Sequence, residues 1–586
     1  MNEVTRRRRH WLAASAAVLG MALAAGQASA QTTEPSDHLA VNLMNLLVKQ
    51  GVITQKAADD LMAEAQRQTA QAQAQAPIAT NLPPPGAGVT RIPYVPEVVK
   101  NQIRDEVRAE VIEQAKAENW AQPNAVPEWT KRLQVSGDVR LRYESDLYSK
   151  TNDPEIINYA AFNANGPVDV NANPLNLPIL NTRENRTNQL YLRARLDVLA
   201  NPSDWVTADI RLASGSTNTP VSTSQLLGGG LTKKTVWLDR AYIDIHPVSF
   251  ASGTFGRMPN PFVSTDLVYD TDLNFDGVAL HGGYPVWKEH GLSLFATAGA
   301  FLTDYNDPNF PTNNTSDQKA PTQAKWMTGG QVGVDWKTER FDWKTTAAHY
   351  SFDAQGQLSQ PCALYQGLTQ CSSDFSKPAF MQKGNTLFLL RNIIPDPSAA
   401  PGTTSLPQFV GLAFPFRVLD VNSTLDVPFG DKHLELTGDF ARNLAYSPGK
   451  VCRYGELGLP LNNVVTPGGG NDTDVCAGTT GPGAPKFASG PNAYMVRASF
   501  GHPDPNQWGL WNFAVGYKHL DPDSVVDAYT DADFHLGGTN AKGFFLLATL
   551  GLATNTNIQF RWFSANEVSG PPLSIDVGQI DLNTKF

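Results

Sequence analysis

The sequence predicts an all-β fold, a transmembrane antiparallel β-barrel of about sixteen strands, preceded by an α-helical periplasmic N-terminal segment. Three observations carry this expectation. From residue 131 onward apolar and polar residues alternate with a period of two, short turns alternate with long polar loops, and the chain ends on an aromatic residue of a final alternating run. With 47 Gly and 41 Pro in 586 residues, the chain is too rich in helix breakers for a bundle. Downstream of the first thirty residues no stretch offers the ~18 consecutive apolar residues that a spanning helix needs. Net charge is -10 and no basic cluster follows the N-terminus, which argues against a nucleic-acid partner.

Residues 1–30 read as a signal peptide: Arg6 to Arg9 are basic, Trp11 to Ala25 apolar, and Ala28-Ser29-Ala30 gives a small-x-small cleavage pattern. Residues 31–82 read as a helical periplasmic segment in which Leu39, Leu43, Leu46 and Leu47 recur at helical spacing. A Pro-rich linker fills 83–96. Over 97–120 an amphipathic helix carries Val99, Ile103, Val107, Val111 and Ala115 in one row. A single stripe implies a single partner surface, either the first helices or copies of itself in a trimeric coiled coil.

The barrel is expected over 131–586. In its first run Leu133, Val135, Val139, Leu141 and Tyr143 oppose Gln134, Ser136, Asp138, Arg140, Arg142 and Glu144. Further runs are expected near 187–199, 204–214, 234–246, 251–258, 274–284, 290–302, 323–337 and 340–353. The rest fall near 416–428, 432–444, 491–501, 508–520, 541–552, 556–566 and 573–586, where Phe586 closes the alternation.

The charged residues fix which face points inward. Arg140, Arg142, Arg193, Arg195, Arg211 and Arg240 fall on polar faces, and each would cost about 2–4 kcal/mol at the bilayer midplane if turned to lipid. They are therefore expected to line a hydrated pore together with Asp138, Asp209 and Asp244. Such a lattice either selects ions or braces the wall by pairing. Arg257, Pro259, Asn260, Pro261, Phe262, Asp266 and Asp270 form the candidate constriction loop, because two prolines directly after a strand stiffen the chain where it can fold into the pore mouth.

Asp272-x-Asn274-x-Asp276-Gly277 matches the opening of a calcium loop, but its twelfth position is Gly283 rather than Glu, so a strand start is the better reading and no metal is expected. The stretch bearing Asp521, Asp523, Asp527, Asp531 and Asp533 reads as a solvated acidic loop, with binding of divalent ions that bridge lipopolysaccharide as the alternative. In an exported chain the cysteines should be oxidised, and the nearest-neighbour pairing joins Cys362 to Cys371 and Cys452 to Cys476. Scattered histidines and the lack of H-E-x-x-H and G-x-S-x-G motifs give no support for an enzyme, and no cofactor is expected.

Several stretches together resemble the "putative porin" family of Gram-negative bacteria. These are Leu46-Leu47-Val48-Lys49-Gln50-Gly51-Val52-Ile53-Thr54, Pro93-Tyr94-Val95-Pro96-Glu97-Val98-Val99, Leu238-Asp239-Arg240-Ala241-Tyr242-Ile243-Asp244 and Gly256-Arg257-Met258-Pro259-Asn260-Pro261-Phe262. The chain is also broadly similar to the phosphate-selective porin O/P type. The resemblance implies an outer-membrane diffusion channel for small hydrophilic solutes, homotrimeric, in contact with outer-membrane lipid and lipopolysaccharide. A basic ladder in the phosphate type implies an anion path along the arginines, from which the interleaved aspartates depart. The alternative function is structural, with the N-terminal helices tethering the envelope to the cell wall or a periplasmic partner.

Overall fold

In the computed structural model the described residues are 128–586, apart from 172–176, 217, 307–322, 401, 467–473 and 479–483. The expected signal peptide, helical segments and linker lie outside the described residues.

Each of the sixteen alternating runs forms a strand of one closed antiparallel sheet. The strands are β1 Leu133–Tyr148, β2 Arg186–Ser203, β3 Val206–Ser214, β4 Val236–Val248, β5 Ala251–Pro259 and β6 Asn274–Trp287. They continue with β7 Leu292–Asn306, β8 Gln323–Lys337, β9 Asp342–Phe352, β10 Phe416–Phe429 and β11 Lys432–Asn443. The last five are β12 Asn492–Gly501, β13 Trp511–Leu520, β14 Ala541–Ala553, β15 Thr556–Glu567 and β16 Ser574–Lys585. Neighbours in sequence pair throughout, and β1 pairs with β16 from Asp138↔Lys585 to Tyr148↔Ile575, which closes the ring. Closure leaves no sheet edge, the condition for a β-structure to sit in hydrocarbon.

The alternation sets the register and the faces. Leu133, Val135, Val139, Leu141 and Tyr143 of β1 are exposed outward, whereas Arg142 between them is buried in the interior. In β13, Phe513 and Val515 face out while Lys518 faces in. Trp205, Phe250, Trp287 and Trp508 are exposed at or beside the short turns, as an aromatic girdle at one membrane interface requires. Tight reversals such as Gly430-Asp431 and Thr554-Asn555 use Gly430 and Asn555 at positive φ, where glycine and asparagine are tolerated best.

The apolar core lies inside the ring. Met258, Phe275, Phe301, Met327, Tyr350 and Phe416 of the wall pack against Phe262, Leu267, Val268 and Tyr269, which belong to the segment 260–273 between β5 and β6. Two further connections, 353–415 between β9 and β10 and 521–540 between β13 and β14, contribute Leu387, Val410, Val525 and Phe534 to the same core. A second cluster of Phe388, Leu390, Phe409, Phe414 and Val451 stabilises the long loops themselves. Disulfides Cys362–Cys371 and Cys452–Cys476 close short stretches within 353–415 and 444–491, with Cα separations of 5.8 and 5.5 Å.

Candidate channel lining and constriction

The inner face of β1 to β4 concentrates arginine because one side of each strand there must remain polar. Arg142 grips Asp581 of β16 with two hydrogen bonds, 2.7 Å from Nε and 3.0 Å from Nη2, and reaches Asp533 at 2.8 Å. Arg193 and Arg195 share Asp138, at 2.9 and 2.5 Å, and both approach Asp272, at 3.8 and 3.1 Å. Arg211 pairs with Asp239 at 2.5 Å. Two arginines are less compensated: Arg140 lies 4.0 Å from Asp581 and donates to Ser224 at 2.6 Å, and Arg240 donates to the neutral Asn274 at 2.9 Å. Asp209 is buried on the same wall, while Asp244 accepts from Thr254 at 2.7 Å and lies 3.0 Å from the His246 ring.

The segment 260–273 crosses the interior. The Asn260 side chain accepts from the Phe262 amide at 3.0 Å and donates to Ser264 at 2.7 Å, turning the chain inward. Phe262 then seats edge-on against Tyr350, centroids 5.1 Å apart, and lies over Gly329 of β8, where a Cβ would sit 2.6 Å from the ring. Val263 is held by the Gln331 side chain through both its amide and its carbonyl, at 2.9 and 2.8 Å, and by Asn422 at 3.0 Å. Thr265 donates to Asp439 of β11. Asp266 meets Lys518 of β13 at 2.8 Å, half-way round the ring from β5. The chain then returns to Arg193 and Arg195 through Asp272.

Burial alone would raise both carboxyls, but the Lys518 ammonium holds Asp266, and the two guanidiniums hold Asp272, below the ordinary carboxylate range. Asp270 has no such cation. Burial and the neighbouring Asp531 push it well up, partly offset by hydrogen bonds from the Asp272 and Ala532 amides.

Arg257 and Pro259 do not belong to this crossing segment. Both lie in β5, which runs one residue past the expected end, and Arg257 faces outward beside exposed Phe255, 2.9 Å from Asp276 of β6. The Gly256 backbone, at φ 119°, keeps the ladder going where a bend was expected; a Cβ there would strike the Ala241 carbonyl at 2.4 Å. The calcium-loop reading fails on the same residues, since Asp272 is taken by Arg193, Arg195 and Thr223 while Asp276 points the other way.

The acidic stretch 521–540 is the largest departure from expectation. Instead of standing in solvent it folds inward, with Asp523, Asp527 and Asp531 buried. Asp531 pairs with Lys518 at 2.7 Å, and Asp533 with Arg142 and Arg561 at 2.8 and 2.6 Å. Asp523 accepts from Thr386 and Ser489, and Asn385 donates to the carbonyls of Pro522 and Val525. The segment thus ties 260–273 and 353–415 to the wall. Lys518, Asp439, Gln331 and Arg561 are the wall residues that make these contacts. The lipid-cost argument that placed the arginines inside applies equally to Lys518, which lies between outward Val515 and Tyr517 on one side and the loop on the other.

No curated protein matches this chain. Among solved structures it is similar to Salmonella typhi OmpF in complex with daunomycin, at 11% identity over 78% of this chain and 97% of that one, TM-score 0.34. It is similar also to the outer membrane channel DcaP of Acinetobacter baumannii, at 10% identity over 78% and 97%, TM-score 0.34. Pseudomonas putida OprB matches at 10% identity over 78% and 95%, TM-score 0.40. None of the three carries weight for function. Residues 37–586 match the family described as "Putative porin", and the chain belongs to this family of outer-membrane channels.

Proposed function

We propose that the barrel passes small hydrophilic solutes and ions by passive diffusion, with a mild preference for anions, along the arginine-bearing wall of β1 to β4. The segment 260–273, from Asn260, Pro261 and Phe262 to Asp266 and Asp270, forms the constriction opposite that wall. The observation that carries the reading is the incomplete compensation of Arg140 and Arg240 beside otherwise paired charges. A half-buried guanidinium without its own carboxylate offers charge to a passing anion, whereas the paired arginines mainly brace the wall. Assembly as a homotrimer in outer-membrane lipid belongs to the same reading and rests on the family.

Single-channel recording under a potassium chloride gradient tests it. The protein should conduct in steps with a reversal potential on the anion side, and Arg140→Gln with Arg240→Gln should move it toward cation selectivity while the barrel still resists detergent. A folded barrel that never conducts, or a reversal potential that the double variant leaves in place, refutes the reading.

A further inference from the structure

Six buried side-chain oxygens without a hydrogen-bond partner belong to neighbouring positions on the inner face of β9, β10 and β11 and to the crossing segment: Thr346 Oγ1, the Tyr350 hydroxyl, both carboxylate oxygens of Asp420, Asp439 Oδ1 and the Tyr269 hydroxyl. Strand register brings them together. Tyr350, Ala348 and Thr346 of β9 lie opposite Val418, Asp420 and Asn422 of β10, and Asp420 and Asn422 lie opposite Ala441 and Asp439 of β11. Asp420 therefore has Tyr350 and Thr346 on one side and Asp439 on the other as diagonal neighbours, a spacing that long side chains span. The Asp420 and Asp439 carboxyls adjoin each other, with Asn422 beside Asp420, and both act on the Tyr350 hydroxyl. Tyr269 completes the group from the loop, its ring edge-on to Tyr350 at 5.1 Å. Relative exposures are 0% for Asp420 and Tyr350, 2% for Tyr269, 3% for Thr346 and 4% for Asp439.

Two adjacent carboxylates in such a place cannot both stay ionised without a positive partner, because each carries a desolvation cost of several kcal/mol and repels the other. Lys518, the ammonium that meets the crossing segment, is already committed to Asp266 at 2.8 Å and Asp531 at 2.7 Å. Among the described residues neither Asp420 nor Asp439 forms an ion pair, and no set of three or more His, Cys, Asp or Glu residues is placed to hold a metal. The donor set here is instead two carboxylates with hydroxyl oxygens. It is all-oxygen, irregular and short of two positive charges, which suits a hard divalent cation tolerant of uneven geometry, calcium before magnesium.

We propose that a calcium ion binds between Asp420 and Asp439, with the hydroxyls of Tyr350, Tyr269 and Thr346 facing it, and pins the crossing segment to the β10–β11 wall. Through Tyr269 and through Thr265, which donates to the other oxygen of Asp439, the ion fixes the part of the segment opposite the arginines. The inference is independent of ion selectivity and stands whether or not the barrel prefers anions.

Terbium is the probe, because tyrosine excitation sensitises its emission only at short range. Full-length protein refolded in detergent free of lipopolysaccharide should give sensitised emission that calcium displaces, and removing the ion with EDTA should lower the thermal unfolding midpoint. Asp420→Asn with Asp439→Asn, which keeps the shapes and removes the charges, should abolish the emission and make the midpoint insensitive to EDTA. Tyr269→Phe, a change of one loop oxygen, should reduce the emission with barrel mobility on gels unchanged. Absence of calcium-displaceable emission from the native chain, emission as strong in the double variant, or a native midpoint that EDTA leaves unmoved would each overturn the proposal and assign neutralisation of the pair to a shared proton.

Discussion

At the scale of single residues, the inner wall shows how burial decides what a charge does. Arg142 and Asp581 are 3% and 1% exposed, and their two parallel hydrogen bonds cross the β1–β16 seam that closes the ring. Replacing Arg142 with Ala leaves Asp581 buried, with only Arg140 at 4.0 Å, and removes one of the two cationic partners of Asp533. Loss of one member of a buried pair costs about 3–5 kcal/mol, far more than the net worth of the intact pair. Urea unfolding of Arg142→Ala, followed by the gel shift of the heated barrel, should therefore show a large loss of stability. Arg257→Ala, which breaks an outward pair with a half-exposed Asp276, should cost less than about 1 kcal/mol. Equal losses in the two variants would contradict this ranking.

At the scale of elements, the connections differ in how far they were legible. All sixteen strands follow from the alternation, because lipid on one side and water or protein on the other punishes any one-residue slip across a whole strand. The direction of the arginines follows for the same reason. The fate of the 521–540 segment did not follow, since five aspartates suit solvent locally and only distant partners, Lys518, Arg142, Arg561 and Thr386, draw them inside. Its contacts make a pH prediction. Burial, with the charge of Asp523 nearby, pushes the Asp527 carboxyl up to about 7, and burial takes Asp523 up to about 6, offset in part by its hydrogen bonds. Lys383, 2.7 Å from the neutral His535 ring, is the cation that acts on Asp527 and is shared with Glu567 at 3.5 Å. A carboxyl raised in the folded loops holds a proton that it would lose in water, so the folded arrangement is most favoured below the ordinary carboxylate range. That stability declines as pH rises through about 7 and then levels. The thermal midpoint should fall between pH 5 and pH 8, and Asp527→Asn should flatten the fall. A midpoint that rises over this interval, or an undiminished slope in the variant, would exclude Asp527 as its source.

At the scale of the whole molecule, a closed sheet with independent register holds an interior that the loops have partly filled. The hydrated lumen expected from the arginines is narrowed from one side, with Phe262, Tyr269, Phe275, Phe301 and Tyr350 in an edge-to-face cluster on the β6–β9 side and the guanidiniums on the β1–β4 side. Period-two alternation specifies the wall strand by strand, but it cannot say which long loop will contribute aromatic residues to the inside. Conduction should then depend on the loops and folding on the wall. Replacing residues 522–538 with a short Gly-Asn turn removes the partners of Asn385, Thr386, Lys383 and Asp270 at once, while the backbone pairing of β13 with β14 from Trp511↔Leu550 to Leu520↔Ala541 is left in place. Arg561, released from Asp533 by the deletion, would face water that replaces the loop and so avoid the cost of a dry burial, while Lys518 keeps Asp266 as its partner. The deletion should keep the circular-dichroism signature and gel mobility of a barrel, raise single-channel conductance, and increase the dependence of conductance on anion identity as Arg561, freed of Asp533, lines the path. A barrel that fails to form would show that the loop is needed for closure of the sheet. An intact barrel of unchanged conductance would place the limiting constriction elsewhere, at the crossing segment that Lys518 still anchors through Asp266.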